Sequence, residues 1–389
     1  MKEGNASPVD WAGWYETYRT QMFQLAYRLL GTVADAEDAV QDAFVSLQSS
    51  APAPDGAIRH PKAYLSKAVA NRCLNVLKSA RRRRESYVGE WLPEPIVESR
   101  SALPHESAEM DESVSYAMLV LLQRLSPVER AVFVLREALL FEYAEVAEML
   151  GKSEANCRQL FSRAKRKLAD RISTPARLAA ENALAEAPMD REQAVPSEAG
   201  GEAVAKGEKT GPRAAAPKEA GQTGMASAEP CADLPSARTA RPGADRAEGR
   251  LGGKEPSADA PLSYAREEEL VRRFVAAFRN SNVRELARLL RQDAVLTSDG
   301  GGKARAAIKP IYTRPRILAL LAAMKSNSYL HGVMTVVRIN GRPGFLIHVD
   351  GTLRAVVCFR WDAGVKDAAA EPALTDVYFI VNPDKLPPL

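Results

Sequence analysis

The sequence predicts a multidomain protein: an all-α N-terminal half made of two helical modules, the second with a helix-turn-helix, followed by a C-terminal α+β domain. Three observations predict it. Up to about Leu168, apolar residues recur at the three- and four-residue spacing of amphipathic helices. From Ser173 to Ser263 there is no Phe, Trp or Tyr, and Ala, Gly, Pro and Glu dominate, a composition that cannot bury enough surface to fold. After that stretch, two or three helical segments give way to alternating β-branched and aromatic runs at Ala294–Ser298, Val333–Ile339, Gly344–His348, Leu353–Trp361 and Thr375–Val381.

The 389 residues, 46% of them hydrophobic, allow two or three compact cores. The 53 basic and 49 acidic residues leave a net charge of +4, too small to announce a nucleic-acid partner, so charge placement has to decide. Cys73, Cys157, Cys231 and Cys358 lie far apart, with no C-x-x-C pair and no His at ligand spacing, which predicts neither a disulfide framework nor a metal site. The polar N-terminus lacks a signal-peptide core, and no apolar run has membrane-spanning length, so a cytoplasmic protein without a membrane partner is expected. The expected divisions are 8–84, 85–112, 113–172, 173–263 and 264–389. The first and third are helical modules, Pro93, Pro95 and Pro104 break the second, the fourth is a linker, and the fifth is the α+β domain. Within the linker, Arg177–Ala187 has local helix-forming composition but little to pack against.

In the first module, Ala36, Val40, Ala43, Phe44 and Leu47 form an apolar stripe, while Asp35, Asp38 and Asp42 share another face with Glu37 and Gln41 beside them. Two readings stand: a solvated helix surface, which the spacing alone favours, or a face that docks on a basic protein. The helix after Pro61 places Leu65, Val69, Cys73 and Val76 inward, and sets Tyr64, Lys67, Asn71, Asn75, Lys78 and Arg82 along one continuous outer stripe. It ends in Arg81–Arg84, a density of like charge that self-repels unless phosphates neutralise it. Cations that follow a backbone, a ring that stacks on bases and amides that pair with base edges suit single-stranded DNA better than a merely solvated basic end.

In the second module, Ser126-Pro127-Val128-Glu129 is a capping box with proline at the first helical position, and Val128, Ala131, Val132 and Leu135 follow at core spacing. Tyr143, Val146, Ala147 and Leu150 mark a short helix that Gly151 ends, and Ser153 caps a longer one. The two form a helix-turn-helix. With Cys157, Leu160, Phe161, Ala164 and Leu168 inward, Glu154, Asn156, Arg158, Gln159 and Ser162 project outward and Arg163, Lys165, Arg166 and Lys167 follow. The first group suits base edges in a major groove and the second suits phosphate.

Taken together, residues 11 to 172 resemble the extracytoplasmic-function sigma factors. The resemblance rests on Ala34–Phe44, Pro61–Leu65 with Ala70–Asn75, Leu125–Arg130 and Tyr143–Arg163. It implies a transcription initiation factor that binds RNA polymerase core and promoter DNA and is no enzyme. Asp35, Asp38, Gln41 and Asp42 would dock on the clamp helices of the largest subunit, with the flap as a second polymerase contact. The loop Ser49–His60 and the helix bearing Tyr64, Lys67, Asn71, Arg72, Asn75, Lys78, Arg81 and Arg82 would melt and read the −10 element. Glu154, Asn156, Arg158, Gln159, Arg163, Lys165, Arg166 and Lys167 would read the −35 element. Asn75 departs from the Asp that many members carry. The strings Trp91-Leu92-Pro93-Glu94-Pro95, Asp299-Gly300-Gly301-Gly302-Lys303 and Asn382-Pro383-Asp384-Lys385-Leu386 resemble one subgroup of the family, in which a SnoaL-like, cone-shaped domain is fused to the sigma core and replaces a separate anti-sigma protein. Regulatory contacts are then expected from Trp91, Leu92, Pro93, Asp299, Gly300, Lys303, Asn382, Pro383, Asp384 and Lys385. The connection, usually short in that subgroup, is here the long 173–263 segment.

SnoaL-like domains include enzymes that use a pocket Asp or His. His331, His348 and Asp350 show no catalytic spacing, and Gly300–Gly302 lacks the spacing of a phosphate loop, so neither catalysis nor a cofactor or metal is expected. Two alternatives come from other classes. A ligand-responsive helix-turn-helix regulator does not account for the Tyr64–Arg84 stripe, and a SnoaL-like enzyme with an accessory DNA-binding region lacks an acid-base constellation.

Overall fold

The computed structural model describes residues 10–49, 58, 60–85, 87–98, 114–173, 262–324, 331–362 and 371–387. Most of the Ser49–His60 loop, Arg177–Ala187 and nearly all of the 173–263 segment lie outside them, as do the side chains of Arg81 and Arg82. The described residues all belong to one compact unit.

Helix α1 (Trp11–Leu30) starts at Asp10, whose carboxylate accepts from the Gly13 amide at 2.9 Å. It ends at Gly31, whose φ of 83° only glycine adopts without strain. Helix α2 (Val33–Ser49) buries Ala36, Ala39, Val40, Ala43 and Phe44, and α3 (Pro61–Glu85) buries Leu65, Val69, Ala70, Cys73 and Leu77. The inner face of α3 therefore closes on Leu77; Val76 is only half-buried.

The second group contains α4 (Tyr116–Leu122), α5 (Pro127–Phe133) running into a π-helical turn (Val134–Ala138), α6 (Tyr143–Leu150) and α7 (Glu154–Ser173). The Ser126–Glu129 capping box starts α5, and Gly151, at φ 61°, ends α6. The two groups do not form separate cores: Met22, Leu25 and Phe44 belong to the same buried cluster as Val132, Leu135 and Cys157. Arg130, 2% exposed, joins them by donating to the carbonyl of Leu29 and to Gln123 Oε1.

The C-terminal part contains α8 (Tyr264–Arg279), α9 (Val283–Leu289), β1 (Leu290–Asp299), β2 (Ile311–Tyr312), α10 (Arg314–Ala323), β3 (Val333–Ile339), β4 (Arg342–Val349), β5 (Thr352–Asp362) and β6 (Ala373–Ile380). The six strands form one mixed sheet in the order β2-β1-β6-β5-β4-β3, with β1 and β6 parallel and the other pairs antiparallel. Side-chain alternation divides its residues between two cores. Phe345, Ile347, Val357, Phe359, Val377 and Phe379 meet α8, α9 and α10, where Phe274 and Phe359 stand edge to face at 5.1 Å. Leu346, Val356, Cys358, Tyr378 and Ile380 point the other way, onto Leu92 and onto Tyr116, Ala117 and Val120 of α4. The helical half thus supplies the cover for the middle of one face of the sheet, over β4, β5 and β6.

Candidate functional site

Helix α7 buries Cys157, Leu160, Ala164 and Leu168, which turns Glu154, Asn156, Arg158, Gln159, Arg163, Lys165, Arg166 and Lys167 to solvent. Arg158 pairs with Glu154 one turn away and lies over the Tyr143 ring at 4.5 Å, so its guanidinium is held on the outer face of the α6–α7 unit. Lys165 reaches Glu137 at 3.4 Å and stacks on Phe161 at 4.8 Å. Lys167 differs: its ammonium lies 2.7 Å from the buried Glu129 carboxylate, which also caps α5, so this cation serves the fold.

Burial pushes the Glu129 carboxyl up, but Lys167, with the backbone and hydroxyl of Ser126, outweighs that and leaves it below its ordinary 4.5. The stability it contributes is therefore complete above that value and lost as the pH falls through and below it. Lys167→Met should cost about 1 kcal/mol near neutral pH, the low figure reflecting a half-exposed lysine, and less in acid, once the pH has fallen below the ordinary carboxyl range and the Glu129 carboxylate is protonated. Urea denaturation at both pH values checks this; an equal loss at both would contradict it.

On α3, Tyr64 and Lys67 are half-buried, while Asn71, Arg72, Asn75 and Lys78 are exposed. Part of this stripe is engaged. The Asn71 amide donates to the Met149 carbonyl at 3.2 Å and Lys67 lies 3.4 Å from Glu148, both on α6, and Arg72 pairs with Asp42 of α2. Arg81 and Arg82 lie in the last turns of α3. On α2, Asp38, Gln41 and Asp42 are exposed, whereas Asp35 is half-buried and accepts from the Thr32 hydroxyl at 2.7 Å.

A second constellation lies between the 87–98 segment and the sheet. Asp299, 1% exposed at the end of β1, accepts from the Leu92 amide at 2.9 Å and the Tyr87 hydroxyl at 2.5 Å. Lys385, 6% exposed, pairs with it at 2.6 Å, donates to the Leu92 carbonyl at 2.6 Å, and lies over the rings of Trp91 at 4.2 Å and Tyr87 at 5.0 Å. Asn382 donates to the Tyr87 hydroxyl at 2.9 Å. Burial and the adjacent Asp299 push the Tyr87 hydroxyl up, so it remains a donor. Gly301 has φ 58°, and a Cβ there would stand 2.4 Å from the Asn382 amide nitrogen, so the turn requires glycine.

Residues 14–83 match the family model described as Sigma-70 region 2, and residues 115–168 match Sigma-70, region 4. The two parts of the helical half are therefore similar to a sigma-70 region 2 and a region 4, and are called region 2 and region 4 for that likeness. The chain is 45% identical over 153 residues to the ECF RNA polymerase sigma factor SigJ of Mycobacterium tuberculosis, which covers 39% of this chain and 48% of SigJ. It is 37% identical over 163 residues to the probable ECF RNA polymerase sigma factor SigI of the same species, covering 41% of this chain and 54% of SigI. It thus spans about half the length of the curated relatives it matches. Against the crystal structure of SigJ the TM-score is 0.59 at 24% identity, over 96% of this chain and 97% of that one, a likeness of fold that extends over the sheet.

Region 4 and region 2 each carry the residues that the sequence singles out, but region 4 lies across part of the region 2 stripe. Among the expected regulatory residues, Trp91, Leu92, Asp299, Asn382 and Lys385 come together, and Pro93 accepts from Tyr116 of region 4 at 2.7 Å. Gly300 turns the chain after β1, where a Cβ would meet the Ala304 carbonyl at 2.3 Å. Pro383 opens a short 3-10 turn, and the exposed Lys303 and Asp384 pair with each other at 2.5 Å, which ties the two turns of the sheet domain together. Sequence reasoning missed Tyr87, Tyr116 and Asn340. His331 and Asp350 are exposed and His348 is half-buried in β4; no group of His, Cys, Asp and Glu able to hold a metal occurs among the described residues.

Proposed function

We propose that this chain is a cytoplasmic sigma factor of the extracytoplasmic-function type, which directs RNA polymerase core to specific promoters and is controlled from within by its fused sheet domain. The reading is supported by the pair of matches to sigma-70 regions, the second with an outward row of Glu, Asn, Arg, Gln and Lys side chains on α7 whose chemistry suits base edges and phosphate. In this reading residues 8–84 bind polymerase and the −10 element, 113–172 bind the −35 element and the flap, and 264–389 form a SnoaL-like, non-catalytic domain. Asp38, Gln41 and Asp42 face the clamp helices, and the stripe from Tyr64 to Arg82 takes single-stranded DNA. Asn71 and Lys67 are tied to region 4 here, so we read this arrangement as a closed state that must open before the −10 strand can bind.

Run-off transcription tests the reading, with one core polymerase and a genomic promoter library, using the full chain, a deletion of 382–389 and the 1–172 fragment. Promoter-dependent transcripts whose amount differs among the three are expected. No promoter-dependent transcript from any of them would end the sigma-factor reading, and equal amounts from all three would end the claim of internal control.

A further inference from the structure

The edge of the sheet is not bare. Strand β3 is the last in the sheet order, and a segment of the linker between regions 2 and 4 adds to it antiparallel, with Val97 opposite Ile339 and the Glu98 amide donating to the Arg338 carbonyl at 3.0 Å. Asn340 then takes the place of the next strand residue. Its backbone amide donates to the Ile96 carbonyl at 2.9 Å, and its side-chain oxygen accepts from the Ile96 amide at 3.0 Å. One residue so satisfies both backbone groups of Ile96, which fixes the register of the added segment. Glu98 closes the far side by accepting from the Gly341 amide at 2.8 Å.

The remaining group of Asn340 points the other way. Its Nδ2 donates at 3.0 Å to the hydroxyl of Tyr27 on α1, and that hydroxyl donates at 2.5 Å to the Glu94 carbonyl. Glu94 in turn caps α2, its carboxylate accepting from the Val33 amide at 2.8 Å. Asn340 is 1% exposed, with φ 49°, so it is fully desolvated and its backbone is in a region that few residues other than Gly, Asn and Asp adopt.

We infer that the β3 edge is a reversible strand-addition site for the linker, that Asn340 is its positioning residue, and that release of the linker from it frees region 4 from α3. The first two parts stand on geometry; the third rests on the reading of the α3 stripe given above. The physical link is the contact of the linker with α4. While Glu94 is held on α2 and residues 96–98 on β3, the Pro93 carbonyl stays in place to accept from Tyr116 at the start of α4 at 2.7 Å, which holds that helix beside region 2 and, with it, α6 over Lys67 and Asn71. This clamp is separate from the Asp299–Lys385 pair, which grips the linker at Leu92.

The test uses the full chain with Asn340→Gly, which removes the side chain and keeps a residue at ease at positive φ. Hydrogen exchange should quicken about tenfold or more in the peptide spanning Ile96 to Glu98, while the Leu92 amide, held by Asp299, changes little. A labelled single strand carrying the −10 sequence should bind several-fold more tightly than to the parent. Tyr27→Phe, nearly isosteric and safe for folding, should give the same changes at smaller size. Unchanged exchange at 96–98 in both variants would overturn the clamp, and faster exchange without tighter strand binding would overturn its control of α3. Exchange is measured without polymerase, so the clamp can fail while the transcription assay succeeds, and the reverse.

Discussion

Replacing Asp299 with alanine should lower the stability of the chain by about 3–5 kcal/mol, the range for removing one partner of a buried ion pair. The loss is large because four donors converge on that carboxylate, the Lys385 ammonium, the Leu92 amide, the Tyr87 hydroxyl and the Gly301 amide, and the first two stay buried without it. Of these, Lys385 dominates, since its ammonium, 6% exposed, loses its hydrogen-bonded carboxylate when Asp299 goes. The double variant Asp299→Ala with Lys385→Met should therefore be more stable than Asp299→Ala alone, a non-additivity that marks a true pair. Denaturant unfolding of the parent, both single variants and the double variant measures it. A loss under about 1 kcal/mol for Asp299→Ala would mean that the pair is solvated and carries little of the contact.

Arg158→Ala should cost about 1–3 kcal/mol in binding to the preferred −35 sequence, roughly a five- to 150-fold loss, and should flatten the preference at one base position. Glu154 and the Tyr143 ring hold the guanidinium on the exposed face before DNA arrives, so little side-chain freedom remains to be lost on binding. Lys165→Ala should behave otherwise, weakening all sequences alike and reducing the salt slope by about one. Titration of the full chain against preferred and scrambled duplexes at several salt concentrations separates the two. If Arg158→Ala leaves the preference intact, the base-reading face of α7 lies elsewhere.

Local patterns were legible where the physics is local. The capping box at Ser126, the glycine stop at Gly151 and the inward set on α7 follow from neighbours within a turn or two, and they appear in the structure where periodicity puts them. The long strands were legible for the same reason. Strand β2 was not, because two residues cannot show an alternation, and nothing in the order of the strands marks β1 and β6 as parallel neighbours. The merging of two helical modules into one core was hidden as well, since each amphipathic helix shows which face is buried and not what covers it.

The contact between the halves was legible only through motifs. Asp299 and Lys385 drew notice by resemblance, whereas Tyr87 and Tyr116 are single aromatics without a period, and each finds its partners across a long sequence separation. Asn340 did carry a signal. Asn340-Gly341 joins two alternating runs, the signature of a two-residue hairpin turn, and both residues have positive φ in the structure, between paired Ile339 and Arg342. That pattern announces the turn. It says nothing of the linker that the turn grips.

The face formed by Leu346, Val356, Cys358, Tyr378 and Ile380 bears on how this kind of control can work at all. A regulator that is a separate molecule can leave, be diluted and be degraded. The sheet domain proposed for that role is costly to bare, because wetting those five side chains would cost about 1.5–3 kcal/mol apiece for the larger ones and would present a sticky apolar patch to other chains. Whatever loosens the sheet from Leu92 and Tyr116 has to bring a replacement cover with it. Under the proposed internal control, the domain would then be a component that changes hands, with its effect in any state set by what it rests against.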